Sequence, residues 1–358
     1  MQRLSNIAWE DFRILPLMKK TPYLMQPGGA SYHTLFSQQF DYTLLEKLAA
    51  LANEIRVIAK TRSGAEFLRQ QMSHKRAMLY FSQPSSRTFL SFMSACQILG
   101  MPTGEVRDTS ISSEFKGESR EDSVRTFSSY FDLIIMRTPE KGLAEHMAWV
   151  LSNSDRPIPI INAGSGQDQH PTQALLDIYT LLRSFERGGL RDKTVLFCGD
   201  LKRGRTVRSL SYLLTNYPNI KQVFVAPEPL QVGDDVLVFL REKNVSYECS
   251  DDLQAALPFA DAIYMTRIQD EWDTASGDSE KIDTRRFKFG TEELGLLPRR
   301  SIIMHPLPRR DEIATAVDGD PRAMYWRQMR NGMWIRTALI AMTFGCENRI
   351  HDYFRHNH

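Results

Sequence analysis

An α/β architecture, two doubly wound domains with parallel sheets, is what the pattern of this chain calls for. Three observations lead there. Short apolar runs of strand length recur at Ala77–Phe81, Leu133–Met136, Ile158–Ile161, Val195–Cys198, Val223–Ala226, Ala262–Met265 and Ile302–Met304. They lack the polar alternation of a half-exposed strand, so they suit strands buried on both faces. Helical patterns usually follow them, and strands alternating with helices build parallel sheets. Finally, 358 residues and this many runs exceed one mononucleotide-type unit, which places a domain junction near residue 172.

Composition narrows the class. Lys and Arg number 45 against 43 Asp and Glu, 25% of residues are charged, and the mean hydropathy is −0.36. These values exclude wholesale disorder, collagen and coiled coil. A net charge of +2 gives no case for a nucleic-acid partner. No apolar run approaches the ~20 residues of a membrane span. Glu10 and Asp11 come early and no compact apolar core precedes them, so no signal or transit peptide is expected. Cys96, Cys198, Cys249 and Cys346 lie far apart, which fits mostly buried thiols in a reducing, cytoplasmic setting.

Along the chain, residues 1–35 carry Pro16, Pro22, Pro27, Gly28 and Gly29 and read as an irregular extension. Tyr42 to Ile58 has helical periodicity through Leu44, Leu45, Leu48, Leu51, Ala52 and Ile55. The polar clusters after the apolar runs matter most, because ligands of open parallel sheets bind beyond the carboxyl ends of the strands. Those clusters are Ser82–Thr88, Arg137, Asn162–Gly164 leading to His170–Gln173, Gly199–Thr206, Thr266–Gln269 and His305–Arg310. Five contain arginine and the sixth a histidine, an arrangement suited to a small ligand, or two, with several negative charges.

Each cluster has a sharp and a bland reading. Pro84-Ser85-Ser86-Arg87-Thr88 precedes an apolar helical stretch, so it is either a phosphate cradle on a helix N-terminus or a plain Ser/Thr cap. Arg137 directly after Leu-Ile-Ile-Met suggests a site arginine, although a lone arginine is more often in a salt bridge. Pro171 suits a helix start, which would put His170 and Gln173 on one face. Gly199–Thr206 lacks G-x-G-x-x-G, which disfavours a nicotinamide dehydrogenase. Arg267 and Gln269 would share one side of an extended segment and clamp a carboxylate. His305-Pro306-Leu307-Pro308 has two fixed φ angles and loses two N–H groups, so it either offers carbonyls to a ligand or is only a rigid turn. Ser112–Ser119 has no strand run before it and reads as a polar loop, functional only if Lys116 is brought to an anion site.

Taken in order, the clusters resemble the aspartate/ornithine carbamoyltransferase family over roughly residues 35–345. The similar segments are Pro84–Thr88, Lys116–Glu118, Met136-Arg137, Asn162–Gly164, His170–Asp177, Gly199–Thr206, Met265–Gln269 and His305–Arg309. His-Pro-Leu-Pro, and Arg267-Ile268-Gln269 in place of a Ser-Met-Gly loop, resemble the aspartate branch. Arginine there suits a substrate bringing a second carboxylate rather than a cation.

What this resemblance implies is transfer of a carbamoyl group from carbamoyl phosphate to the α-amine of L-aspartate. The products are N-carbamoyl-L-aspartate and phosphate, in pyrimidine synthesis, with no metal, no cofactor and no covalent intermediate. By the resemblance, Ser85, Ser86, Arg87, Thr88 and Arg137 hold the phosphate. Ser112 and Lys116 reach it from a neighbouring subunit of a homotrimer. Thr88, Arg137 and His170 point at the carbamoyl oxygen, and Gln173 with the Pro306 carbonyl takes the carbamoyl NH₂. Arg205, Arg267 and Gln269, with Lys116, bind aspartate, and the Leu307 carbonyl orients its amine next to the carbamoyl group.

The resemblance also implies a carbamoyl phosphate-binding domain of residues 1–172 plus 328–358 and an aspartate-binding domain of 173–327. A C-terminal helix over Tyr325–Asn348 would return to the first domain. Ser86, Gln83 and Phe89 depart from the family's usual residues, and the stretch from Gln269 to Leu296 is longer and more charged than usual. Two alternatives stay open: a carbamoyltransferase for another amino acid, and a silent structural homologue. The resemblance also leaves regulatory or other subunits open.

Overall fold

The computed structural model describes residues 3–107, 117–166, 169–185, 188–270 and 282–358. The chain divides into two compact units, Met1–Leu175 with Arg330–His358, and Leu176–Met329.

The first unit opens with helices α1 (Trp9–Ile14) and α2 (Leu17–Leu24), so the expected irregular extension is corrected. Pro16 stands just ahead of α2, where a missing N–H costs nothing. Apolar positions drive the packing: Leu4, Phe12 and Leu24 are buried in the same core as Tyr80, Ile134, Met136 and Met147. Lys20 is buried there too, with its ammonium 2.5 Å from Glu145 and 2.9 Å from the Arg13 carbonyl. A buried ammonium needs such partners, because its desolvation is otherwise prohibitive.

Next come α3 (Tyr42–Ile58), with the bounds its periodicity gives, and α4 (Arg62–Arg69). Asp41 caps α3 by accepting from the Leu44 N–H at 2.8 Å. Then follow β1 (Ala77–Phe81), α5 (Ser86–Ile98), β2 (Thr103–Val106), α6 (Arg120–Tyr130), β3 (Leu133–Thr138), α7 (Leu143–Ser152) and β4 (Ile160–Ser165). These strands form a parallel sheet in the order β2-β1-β3-β4. Thr34 makes a further parallel bridge to Ile161, so the chain entering α3 lies along the β4 edge.

Helix α8 (Pro171–Ser184) carries the chain into the second unit. There β5 (Thr194–Cys198), α9 (Arg205–Leu214), β6 (Lys221–Val225), α10 (Asp234–Glu242), β7 (Ser246–Ser250), α11 (Leu253–Ala256), β8 (Ala262–Met265), α12 (Thr291–Leu296) and β9 (Ile302–Met304) follow. The second sheet is also parallel, in the order β7-β6-β5-β8-β9. Helix α13 (Tyr325–Thr343) leads back, and α14 (Glu347–Asn357) ends the chain. The single helix expected over Tyr325–Asn348 is therefore two. The break falls at Gly345, whose φ of +68° favours glycine.

Two strands escaped the apolar-run criterion, β2 and β7. Both are edge strands with mixed or exposed positions, so neither needs the unbroken apolar run of a central strand. Strand β2 also means that a strand does precede the Ser112–Ser119 segment. Other bounds shift: β3 includes Arg137, and β4 includes Asn162–Gly164, which the sequence placed after their strands.

Candidate active site

In the first unit the carboxyl ends of β1, β3 and β4 share one edge, because the strands are parallel, with Phe81 opposite Arg137 and a register shift between β3 and β4 near Met136 and Thr138. Ser82 Oγ and the Gln83 N–H both donate to the Arg137 carbonyl, at 3.3 Å each, tying the loop after β1 to the end of β3. Ser85 then takes the N-cap position of α5 but forms no side-chain cap bond. The plain-cap reading therefore loses its main support. The first-turn N–H groups of a helix lie open to an anion, and the dipole favours one. Arg87 is exposed and Thr88 is buried, on successive positions of that turn.

Arg137 is 8% exposed, and its guanidinium donates to the Ala163 carbonyl at 3.1 Å. This bond helps orient the fork. His170 is 4% and Gln173 8% exposed, at the start of α8, where Pro171 is the first helical residue. The His170 carbonyl accepts the Gln173 and Ala174 N–H groups at 3.0 and 3.2 Å. The sheet edge thus brings together Ser85–Thr88, Arg137, His170 and Gln173. Ser112 and Lys116 lie outside the described residues.

In the second unit, β5, β8 and β9 end on one edge. Gly199 has φ +118°, and a Cβ there would lie 2.1 Å from the Thr266 carbonyl oxygen, so only glycine lets the two loops approach. Asp200 is fully buried and is the hub. Its carboxylate accepts Arg203 Nε at 2.7 Å, the Arg203 N–H at 3.2 Å and the Gln269 N–H at 3.0 Å. It thereby joins the loop leading to Arg205 to the loop carrying Arg267 and Gln269. That second loop lies beyond the end of β8 at Met265. Arg267 donates to the Ile268 carbonyl at 2.8 Å and lies 3.7 Å from Asp270. Arg310 holds Asp270 through two bonds of 2.8 and 2.9 Å.

The loop after β9 is braced from within. His305 Nδ1 accepts the Leu307 N–H at 2.7 Å, which leaves Nε2 to carry the proton toward Glu312 at 2.6 Å. Burial alone would raise the Glu312 carboxyl, but the hydrogen bond from His305 and the backbone N–H bonds of Glu312 and Arg310 outweigh it and hold it below the usual carboxylate range. With Pro306 and Pro308 lacking an N–H and that of Leu307 engaged, the segment between His305 and Arg309 has only carbonyls left to offer. Arg309 serves the fold: it pairs with Asp318 and lies over the rings of Tyr325 and Trp326.

Several supporting residues were not legible as such. Asp177, buried in α8, accepts Tyr264 Oη at 2.8 Å and Gln328 Nε2 at 2.7 Å, while Gln328 Oε1 accepts the His305 N–H at 3.0 Å. A carboxylate on the apolar face of a helix was the only available signal, since its partners lie 87 and 151 residues away.

Comparison with known proteins completes the picture. Residues 33–183 match the family model for the aspartate/ornithine carbamoyltransferase carbamoyl-P binding domain, and residues 191–343 match its Asp/Orn binding domain. The chain belongs to the aspartate/ornithine carbamoyltransferase family. It is 42% identical over 309 residues to the chloroplastic aspartate carbamoyltransferase of Arabidopsis thaliana, covering 85% of this chain and 76% of that one. Against the catalytic subunit of Finegoldia magna aspartate carbamoyltransferase it is 42% identical over 271 residues, 74% of this chain and 84% of the other. Among solved structures it resembles Trypanosoma cruzi aspartate transcarbamoylase in complex with N-(phosphonacetyl)-L-aspartic acid. There the TM-score is 0.79 and the identity 34%, over 88% of this chain and 97% of that one. The M. Jannaschii catalytic subunit gives 0.74 and 35%, over 90% and 98%. Of the family's two halves, the first ends with the α8 region and the second starts just before β5, so each match contains one of the two sheets.

Proposed function

We propose that this chain is an aspartate carbamoyltransferase: it moves the carbamoyl group of carbamoyl phosphate to the α-amine of L-aspartate, a step of pyrimidine biosynthesis. The observation that carries this reading is that arginine-bearing loops occupy the carboxyl ends of parallel strands in both units. The relatives named above are aspartate carbamoyltransferases, which favours aspartate over another amino acid.

In this reading Ser85, Ser86, Arg87, Thr88 and Arg137 seat the phosphate, with Ser112 and Lys116 supplied by a neighbouring copy in a homotrimer. Arg205, Arg267 and Gln269 take the aspartate carboxylates, assisted by Lys116. The neutral amine attacks the carbamoyl carbon, forming the C–N bond. Charge gathers on the carbonyl oxygen, where Thr88, Arg137 and His170 donate to it. Gln173 and the Pro306 carbonyl hold the carbamoyl NH₂, and the Leu307 carbonyl aligns the incoming amine. The C–O bond to phosphate then breaks, and the leaving phosphate takes the amine proton. Arginine charge offsets the repulsion between two anionic substrates, and orientation supplies much of the remaining acceleration. We place the protein in the cytoplasm on its four free cysteines, with burial pushing the Cys96 thiol up to about 12 and so making it inert.

The test is a ureido-product assay with carbamoyl phosphate and a panel of amino acids. The expected result is N-carbamoyl-L-aspartate and phosphate in equal amounts, with little product from ornithine. Product from a different amino acid would redirect the specificity, and no product from any would favour the silent homologue.

A further inference from the structure

The segment that enters α3 does more than close the sheet. The Thr34 N–H donates to the Ile160 carbonyl at 2.9 Å, and the Asn162 N–H returns to the Thr34 carbonyl at 2.8 Å. Asn162 Nδ2 donates to the Leu35 carbonyl at 2.8 Å, while its Oδ1 accepts the Gly164 N–H at 2.8 Å. Farther along, the Ser37 N–H donates to Gln169 Oε1 at 2.7 Å, and Gln169 Nε2 donates to Gln38 Oε1 at 2.9 Å. The Gln169 carbonyl accepts the Ser165 N–H at 3.3 Å. Gln39 stiffens the same segment, accepting the Leu35 and Phe36 N–H groups at 2.6 and 3.0 Å and donating to the His33 carbonyl at 2.6 Å.

His33 anchors its start. Its Nδ1 accepts the Ile160 N–H at 3.1 Å, and its Nε2 meets Ser152 Oγ at 3.0 Å. Thr34, Ser37, Gln39, Asn162 and Gln169 are all buried. Buried amides tied into a closed ring of bonds have few alternative geometries, since each broken bond would leave a desolvated polar group. One end of that ring is Gln169, and the next residue is His170. Downstream, the His170 backbone is fixed by α8. Upstream, it follows directly from Gln169, held by the bonds just given.

We infer that Gln169 is a positioning residue for His170, and that it draws its rigidity from the Ser37–Gln38 segment. The inference rests on the carbamoyltransferase reading, in which His170 donates to the developing oxyanion. A donor of this kind helps only if it already stands where the charge appears, so loosening it lowers kcat while leaving ground-state binding nearly untouched. Neither Gln169 nor Gln38 needs to touch substrate.

Gln169→Leu removes both amide bonds and Gln38→Leu removes one, at a half-exposed position away from His170. Gln38→Glu keeps an acceptor for Gln169 Nε2. Steady-state kinetics on the full chain should give a kcat roughly tenfold lower for Gln169→Leu and about threefold lower for Gln38→Leu. The KM of each substrate should stay within about twofold, and Gln38→Glu should return to the wild-type kcat. Wild-type kcat in Gln169→Leu, or losses carried by KM alone, would overturn the inference. If Gln169→Leu does not fold, equal kcat in Gln38→Leu and Gln38→Glu overturns it. An inactive wild-type chain would instead defeat the carbamoyltransferase reading itself.

Discussion

The two sheet edges are built from different chemistry. On the first, the bracing bonds include neutral groups: the Ala163 carbonyl for Arg137, and the amides of Asn162, Gln169, Gln38 and Gln39 behind His170. On the second, carboxylates brace much of the loop structure, Asp200 for Arg203, Asp270 for Arg310 and Glu312 for His305, while Arg267 leans on the Ile268 carbonyl with Asp270 nearby. A neutral brace leaves a guanidinium's charge available to a ligand, whereas a carboxylate spends part of it. The first edge therefore suits a compact, highly charged phosphate. In the proposed reading the second receives a dicarboxylate, which must compete with Asp270 for Arg267.

The sharpest way to break this contrast is at Arg87. Arg87→Ala should lower turnover by about a thousandfold or more, with a nearly unchanged thermal midpoint, since the side chain is exposed. A near-normal rate would remove the phosphate seat from the first edge. Next in size, Arg267→Ala should raise the aspartate KM by about one to two orders of magnitude and move kcat less, because a charge-assisted bond to a carboxylate is lost. A pure kcat effect would place Arg267 at the reacting carbon instead.

A smaller effect is expected where an internal acid competes. Arg310→Gln frees Asp270 to settle on Arg267, so the aspartate KM should rise by roughly two- to fivefold, the modest scale of an exposed ion pair. A lower KM would show that Asp270 instead helps hold substrate.

The least perturbing probe is pH. Burial lowers His33 to about 3, against 6.5 for the free side chain. The unfolded chain therefore takes up a proton that the folded chain refuses. The His33 contribution is complete above pH 6.5 and is lost as pH falls from there toward 3. Urea midpoints measured between pH 7 and pH 4 should fall less steeply in His33→Asn than in wild type; parallel slopes would contradict a neutral buried His33.

The same contrast explains what could be read from sequence. Central strands and the helix Tyr42–Ile58 were legible because their burial writes an unbroken or 3.6-period apolar pattern. Edge strands β2 and β7 write none. The arginines of the loops were legible as chemistry, since strand ends are where ligands bind. Their braces were not, because Asp177, Gln328 and Gln169 meet partners across long sequence separations that no local pattern encodes. The N-terminal helices were hidden by proline and glycine, which mark helix starts and turns as readily as they mark irregular chain.

The division of labour between the two edges is the central claim, and equilibrium titration with carbamoyl phosphate tests it most directly. Arg87→Ala should show no measurable binding, while Arg267→Ala should bind within about twofold of wild type, as expected when only the second site has lost a charge-assisted bond. Equal loss in both variants, or retained binding in Arg87→Ala, would contradict it.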